Sequence, residues 1–231
     1  MKTFPPASEL YPDTLRVLVL GDSVALSLGN RMYWSHAAED AVVVQRAIGD
    51  CSILDGVVPV RSMGGEPHGN GNCARGWVED VRELGPDVTL VLLGGAYFSR
   101  VKAEGSFQDV CHRGWRDPFV KRLSELLVAM KPHAGALVVA LTAYPVGRWQ
   151  TPTLNDKVDC FNRMLRDAAG AAGADVLDLA AHVCPDRVCT TTSLGEPVRP
   201  DGLHFDGLGA EETARWTLRE LRARAARDRA R

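Results

Sequence analysis

Five short apolar runs, each followed by a longer stretch with helical spacing, constrain this chain more than any other feature. They are "RVLVLG" (16–21), "AVVVQRAIG" (41–49), "DVTLVLLGGA" (87–96), "GALVVALTAYP" (135–145) and the start of "ADVLDLAAHVC" (174–184). Their side chains are apolar on both alternating faces and rich in β-branched residues, so each strand has to be covered on both sides. That is the condition of a parallel sheet inside an α/β domain. Between them lie "SVALSLGNRMYWSHAAE" (23–39), "VEDVRELGPDV" (78–88), "FVKRLSELLVAMKPHAG" (119–135) and "DKVDCFNRMLRDAAGAAG" (156–173), and after the last comes "GAEETARWTLRELRARAAR" (209–227). In the third of these, Leu123, Leu126, Leu127 and Met130 fall on one helix face. The alternation predicts a three-layer, doubly wound α/β sandwich around a mostly parallel five-stranded sheet. Residues 1–14, Pro-rich and polar, read as a lead-in, and 15–231 as a single domain.

Composition narrows the function classes. The 231 residues are 45% apolar and 24% charged, with a net charge of −2, which gives no reason to expect a nucleic-acid or anionic-membrane surface. The Arg-rich end, "RELRARAARDRAR", reads as a solvated helix tail. No segment reaches the ~18 consecutive apolar residues of a membrane span. The N-terminal "MKTFPPASELYPD" lacks the apolar centre of a secretory signal. The expectation is therefore a cytoplasmic protein as the sequence stands, or an extracytoplasmic one if the chain is a processed or excised domain. No nucleotide fingerprint occurs, so no cofactor is expected. The six cysteines lack the second pair that a zinc site would need, so no metal is expected either. "CPDRVC" brackets a loop suited to a short disulfide.

In open α/β sheets, ligands bind beyond the carboxyl ends of the strands. Ser23 stands there after the first strand, Gly49 after the second, and Gly94-Gly95 after the third. Asp and Ser at that point are also the usual helix caps, so "GDS" taken locally leaves nucleophile and cap both open. Two breaker-rich loops, "RSMGGEPHGNGNCARG" (61–76) and "TTTSLGEPVRPDGLHFDGLG" (190–209), are long enough to carry function. The second holds Asp201 three residues before His204. In a tight loop that spacing turns the carboxylate back to the imidazole and fixes its tautomer. A serine needs such an oriented base to act as a nucleophile.

Gly21-Asp22-Ser23 after the first strand, with Asp201-x-x-His204 near the C-terminus, resembles the GDSL, or SGNH, hydrolase superfamily from Arg16 to about Trp216. "GDS", paired cysteines, "CARGW" and "RPDGLHF" are more similar still to the SGNH-type domains associated with bacterial membrane O-acyltransferases. The resemblance implies Ser23 as nucleophile, His204 as general base and Asp201 as its orienting carboxylate. It also implies the N–H groups of Ser23 and Gly49 as oxyanion donors, a structural role for Asp22, and Cys51–Cys73 and Cys184–Cys189 disulfides. The implied reaction is deacylation of an O-acyl ester, O-acetyl in the first instance, of a sugar or other polyol, with a small-molecule or glycan ester as the partner.

One block departs from the family pattern. Where Gly-x-Asn-Asp normally supplies an Asn oxyanion donor, "LLGGAYFSR" places Ala96 or Tyr97. Tyr97, Asn70 and Asn72 are the candidate replacements. Tyr97, Phe98, Trp115 and Trp149 could form a sugar platform or simply pack. Three readings stay open: esterase, O-acyltransferase with the same three residues, and a catalytically weak SGNH-like binding module.

Overall fold

The computed structural model of the chain describes residues 3–5, 13–49, 51–55, 57–59, 71–95, 99–103 and 106–230. Its centre is a five-stranded sheet of β1 (Leu15–Gly21), β2 (Ala41–Gln45), β4 (Val88–Leu92), β7 (Ala136–Ala140) and β8 (Asp175–Leu177), in the order β2-β1-β4-β7-β8. Every pairing in it is parallel. The two interior strands of most continuous apolar character, β4 and β7, are buried at all positions, as strands covered on both faces must be.

Six helices cover the sheet: α1 (Ser23–Ser35), α2 (Trp77–Leu84), α3 (Arg113–Met130), α4 (Leu154–Ala172), α5 (Leu179–Val183) and α6 (Glu211–Arg229). α1 packs with α6 in one layer, while α3 packs with α2 and α4 in the other. The chain moves from β1 outward to β2, then returns to the other side of β1 to lay down β4. The carboxyl ends of β1 and β4 therefore flank a topological switch point, the crevice where doubly wound sheets hold their ligands.

Besides the earlier ends of the third strand at Leu92 and the fourth at Ala140, the structure differs from the sequence expectation in four places. The helix expected from Phe119 starts at Arg113, with Pro118 inside it. Proline disfavours that extension, but Trp115 stacks on Phe119 at 4.8 Å and meets Phe161 of α4 edge-on at 6.3 Å. Burying those rings outweighs the lost hydrogen bond. The second strand ends at Gln45 rather than Gly49, although Arg46 and Ile48 still donate to the carbonyls of Val19 and Gly21. The remaining two differences are small antiparallel sheets. One joins β3 (Val57–Pro59), β5 (Ser99–Ala103) and β6 (Ser106–Gln108), and the other joins β9 (Thr192–Ser193) to β10 (Glu196–Pro197). Strands of two to five residues lie below the length at which alternation distinguishes a strand from a loop.

Beyond β7 the chain is held by a buried amide. Asn162 of α4 accepts from the Thr142 N–H at 2.9 Å and donates to the Thr142 carbonyl at 3.0 Å. It thereby satisfies backbone groups that leave the sheet with no strand partner. Asn162→Leu should lower unfolding free energy by ~1–3 kcal/mol, because both Thr142 groups stay buried and unpaired. Chemical denaturation of the two proteins measures that difference.

Candidate active site

The turn from β1 to α1 decides what Ser23 is free to do. Gly21 has φ +144°, and a Cβ there would lie 1.8 Å from the Leu92 carbonyl oxygen of β4, so only glycine fits. The next residue, Asp22, is the N-cap. Its Oδ1 accepts from Val24 N–H at 3.0 Å, while Oδ2 accepts from Gly94 and Gly95 N–H at 2.9 and 2.6 Å. Burial pushes the Asp22 carboxyl above its ordinary range, against the pull of the Gly95, Val24, Gly94 and Ala25 amides. The cap is thus Asp22, and Ser23 occupies the first helical position with its hydroxyl uncommitted to the helix.

That hydroxyl meets His204. Ser23 Oγ lies 2.9 Å from His204 Nε2, and His204 Nδ1 lies 2.7 Å from Asp201 Oδ2. Asp201 Oδ1 also accepts the Leu203 and His204 backbone N–H groups at 2.9 and 2.8 Å. Burial raises the Asp201 pKa, but the His204 amide, the His204 ring and the Leu203 amide outweigh it, and the net shift is downward. An ionised Asp201 accepts from Nδ1–H, which leaves the Nε2 lone pair facing the Ser23 hydroxyl.

The loop that carries Asp201 and His204 is pinned from three sides. Gly202 has φ +87°, and a Cβ on it would meet the Val146 carbonyl oxygen at 2.2 Å. Its own carbonyl accepts from Val146 N–H at 2.9 Å. Trp149 donates its indole N–H to the Asp201 carbonyl at 2.7 Å. On the opposite side Ser27, one turn along α1 from Ser23, accepts from Phe205 N–H at 3.1 Å. Ser23, His204 and Asp201, separated by most of the chain, are held in register by backbone contacts rather than by side-chain packing alone.

Gly49 stands beside Ser23: a Cβ built on it would lie 3.9 Å from Ser23 Cβ. The Arg46 and Ile48 amide bonds to β1 deliver it there. Just beyond it, Cys51 is bonded to Cys73, and the strand-like contact of Ser52 with Asn72 closes the same loop. A second disulfide joins Cys184 to Cys189, while Cys111 and Cys160 are free thiols.

The other candidate residues separate clearly. Asn72 is engaged in its own turn: its Oδ1 accepts from Ala74 N–H at 2.8 Å and its Nδ2 donates to Asp55 at 3.2 Å. It is not among the residues lining the cleft at Ser23. Ala96, Tyr97, Phe98 and Asn70 lie outside the described residues. Trp115 is wholly buried in the core, which removes it as a sugar platform, while Trp149, half-buried, props the Asp201 loop through its indole N–H. The residues that sequence reasoning missed lie on α1. A cavity of about 760 Å³ opens from Ser23 and His204 and is lined also by Asn30, Tyr33 and Trp34. The signal available for them was their helical spacing from Ser23. Among the described residues, no group of three or more His, Cys, Asp or Glu side chains is placed to hold a metal.

No family model matches the chain, and no curated protein matches it. Solved structures do. A lipase/acylhydrolase from Enterococcus faecalis superposes with a TM-score of 0.58 at 14% identity, over 91% of this chain and 97% of that one. An acetylxylan esterase from Geobacillus stearothermophilus gives 0.55 at 17% identity, over 90% and 94%. A protein described as a GDSL-like lipase from Parabacteroides merdae gives 0.52 at 16% identity, over 94% and 99%. At these identities the likeness is one of fold, and the chain has the α/β sandwich of the SGNH hydrolases.

The placement of Gly49 through the Cys51–Cys73 link is open to test. Closing a loop of 22 residues contributes ~3 kcal/mol in the chain-entropy account. A Cys51→Ala, Cys73→Ala double variant should therefore melt several degrees lower. It should also react more slowly at Ser23 with a fluorophosphonate, at temperatures where it is still folded. A lower melting temperature with unaltered reactivity would assign the link to stability alone.

Proposed function

We propose that this chain is a serine esterase that removes an O-acyl group, O-acetyl in the first instance, from a sugar or other polyol. The observation that carries this reading is the continuous chain Ser23 Oγ, His204, Asp201, laid out at hydrogen-bond distances at the switch point of the sheet. In the proposed reaction His204 Nε2 takes the Ser23 proton as Oγ attacks the ester carbonyl. The resulting oxyanion forms beside the N–H of Ser23, which none of the Asp22 cap bonds uses, and beside Gly49. Protonated His204 then gives its proton to the departing alkoxide of the polyol, leaving the acyl group on Ser23. A water, deprotonated by His204 in the same way, attacks the acyl-enzyme and releases the carboxylic acid. Asp201 stays ionised throughout and stabilises the imidazolium.

The acetylxylan esterase of similar fold supports an O-acetylated sugar as the substrate class. The "RPDGLHF" ending and the two disulfides support a resemblance to the SGNH-type domains that accompany membrane O-acyltransferases. Cross-links of this kind persist in oxidising compartments, which favours an extracytoplasmic setting. Acyl transfer is the second reading: an alcohol bound where water would attack turns the same acyl-enzyme into a transferase. None of the described helices is long and apolar enough to cross a membrane.

A fluorophosphonate should label Ser23 and no other residue, and His204→Ala should abolish the labelling. Asp201→Asn should retain the fold yet lower kcat by about 10³–10⁴-fold, because the imidazole then adopts the wrong tautomer. Labelling that survives Ser23→Ala would refute the assignment.

Among the described residues no side chain is assigned as an oxyanion donor, so small activated esters should be poor substrates. An acylated glycoside should be turned over markedly faster than nitrophenyl acetate, by kcat/KM, and product analysis with added sugar alcohols separates hydrolysis from transfer. Brisk hydrolysis of nitrophenyl acetate with no gain on glycosides would remove the polyol from the reading.

A further inference from the structure

The cavity at Ser23 does not stop at the reacting groups. It runs down the exposed face of α1, past Ser27 and Asn30 to Trp34, with Gln45 and Asp206 among its walls. Ser23, Ser27, Asn30 and Trp34 are spaced by four, three and four residues, so they form one stripe along the helix. The opposite stripe, Val24, Ala25, Leu28 and Met32, is buried against the sheet and α6. Eleven residues at ~1.5 Å each put Trp34 about 16 Å along the helix axis from the nucleophile position. That span is longer than one sugar ring.

The lining suits a polyol better than a hydrocarbon. Trp34 is 72% exposed, the same as the most exposed large apolar side chains on the described surface. Tyr33 meets it edge-on at 5.4 Å, and Tyr33 in turn stacks on His36. An exposed indole offers an apolar face and an N–H donor. Between Trp34 and Ser23 the groove offers the Asn30 amide and Gln45, while the Ser27 hydroxyl is engaged, donating to the Val24 carbonyl at 2.9 Å and accepting from Phe205 N–H at 3.1 Å. The Gln45 amide nitrogen is held by the Leu26 carbonyl at 3.2 Å, which leaves its oxygen as an acceptor. Arg31 is turned to Glu211 of α6 at 2.9 Å, so its charge is already matched. Hydrogen-bonding groups in the middle and an aromatic face at the far end fit the hydroxyl edges and C–H faces of a carbohydrate chain.

We infer that the α1 groove holds the carrier of the acyl group, an oligosaccharide of at least three sugar units, with Trp34 stacking on the unit farthest from the ester. This rests on the esterase reading above and adds the size and seat of its substrate. The test is a series of O-acetylated β-linked oligosaccharides of one to four units, compared with nitrophenyl acetate and with nitrophenyl esters of increasing acyl length. For the native protein, kcat/KM should rise with carrier length up to three or four units. In Trp34→Ala the ratio of kcat/KM on the tetramer to that on the monomer should fall about tenfold, with the loss in KM. Trp34→Tyr should restore part of the ratio. Val128→Ala, which removes an exposed apolar side chain of α3 outside the groove, should keep the native ratio. Turnover independent of carrier length, or a length dependence that Trp34→Ala leaves intact, overturns the groove assignment while the esterase stands. A rise with acyl length instead assigns the groove to an acyl chain and overturns it too. No turnover of any sugar ester removes both proposals together.

Discussion

The carboxylate of Asp22 is the interaction on which the site depends. One buried side chain accepts from Val24 at the start of α1 and from Gly94 and Gly95 at the end of β4. It therefore fixes, in a single group, the direction of the helix, the separation of two strand ends and the floor of the switch-point crevice. The arrangement demands that nothing intrude. A Cβ on Gly94 would lie 2.5 Å from Val24 Cγ2, and one on Gly95 would lie 3.3 Å from Asp22 Oδ2. The adjacent glycines in "LLGGA" are thus what allows two consecutive amides to reach one carboxylate oxygen. Burying that charge is costly, and the four backbone donors that surround it are the compensation.

This also resolves the ambiguity of Ser23. Serine at the beginning of a helix ordinarily satisfies orphan backbone donors. Here the residue before it has taken that work, so the hydroxyl has no local partner competing with His204. An N1 serine with its cap supplied by the preceding aspartate is a different chemical object from an N-cap serine, although both read as "strand, Asp, Ser, helix". The orphan N–H groups of α1 that remain give the same point an affinity for negative charge.

Much of this was legible because it is local or periodic. The five strands show as apolar runs bounded by turn residues, and the order of strand and helix follows directly. Asp201 and His204 are legible as a pair because an Asp three residues before a His, with Gly202 between them, makes a turn that joins carboxylate to imidazole. What was not legible is what the tertiary structure decides. Trp149 gave no sign that it would donate to the Asp201 carbonyl, since its partner lies 52 residues away. The expected helix began at Phe119, and the aromatic contacts of Trp115 with Phe119 and Phe161 explain the six residues by which α3 extends ahead of it, across Pro118. Trp34 was legible in principle, being in phase with Ser23, yet an exposed tryptophan and a buried one have the same letter.

The position of the groove follows from the same constraint that turns the Ser23 hydroxyl toward His204. A serine at the first position of a helix, on the side turned away from the sheet, shares its face with the residues four, seven and eleven further on. Whatever lines that stripe is automatically continuous with the reacting atom. In most helices the exposed stripe is charged and solvated, because nothing is gained by leaving it otherwise. In α1 it carries Ser27, Asn30 and Trp34, with its one cation, Arg31, tied to Glu211. The one charge on this face is paired, and an aromatic ring stands where the stripe ends. A helix that begins with a serine facing an imidazole, and whose outer stripe carries no unpaired cation, presents along its length polar groups and an aromatic ring in one line.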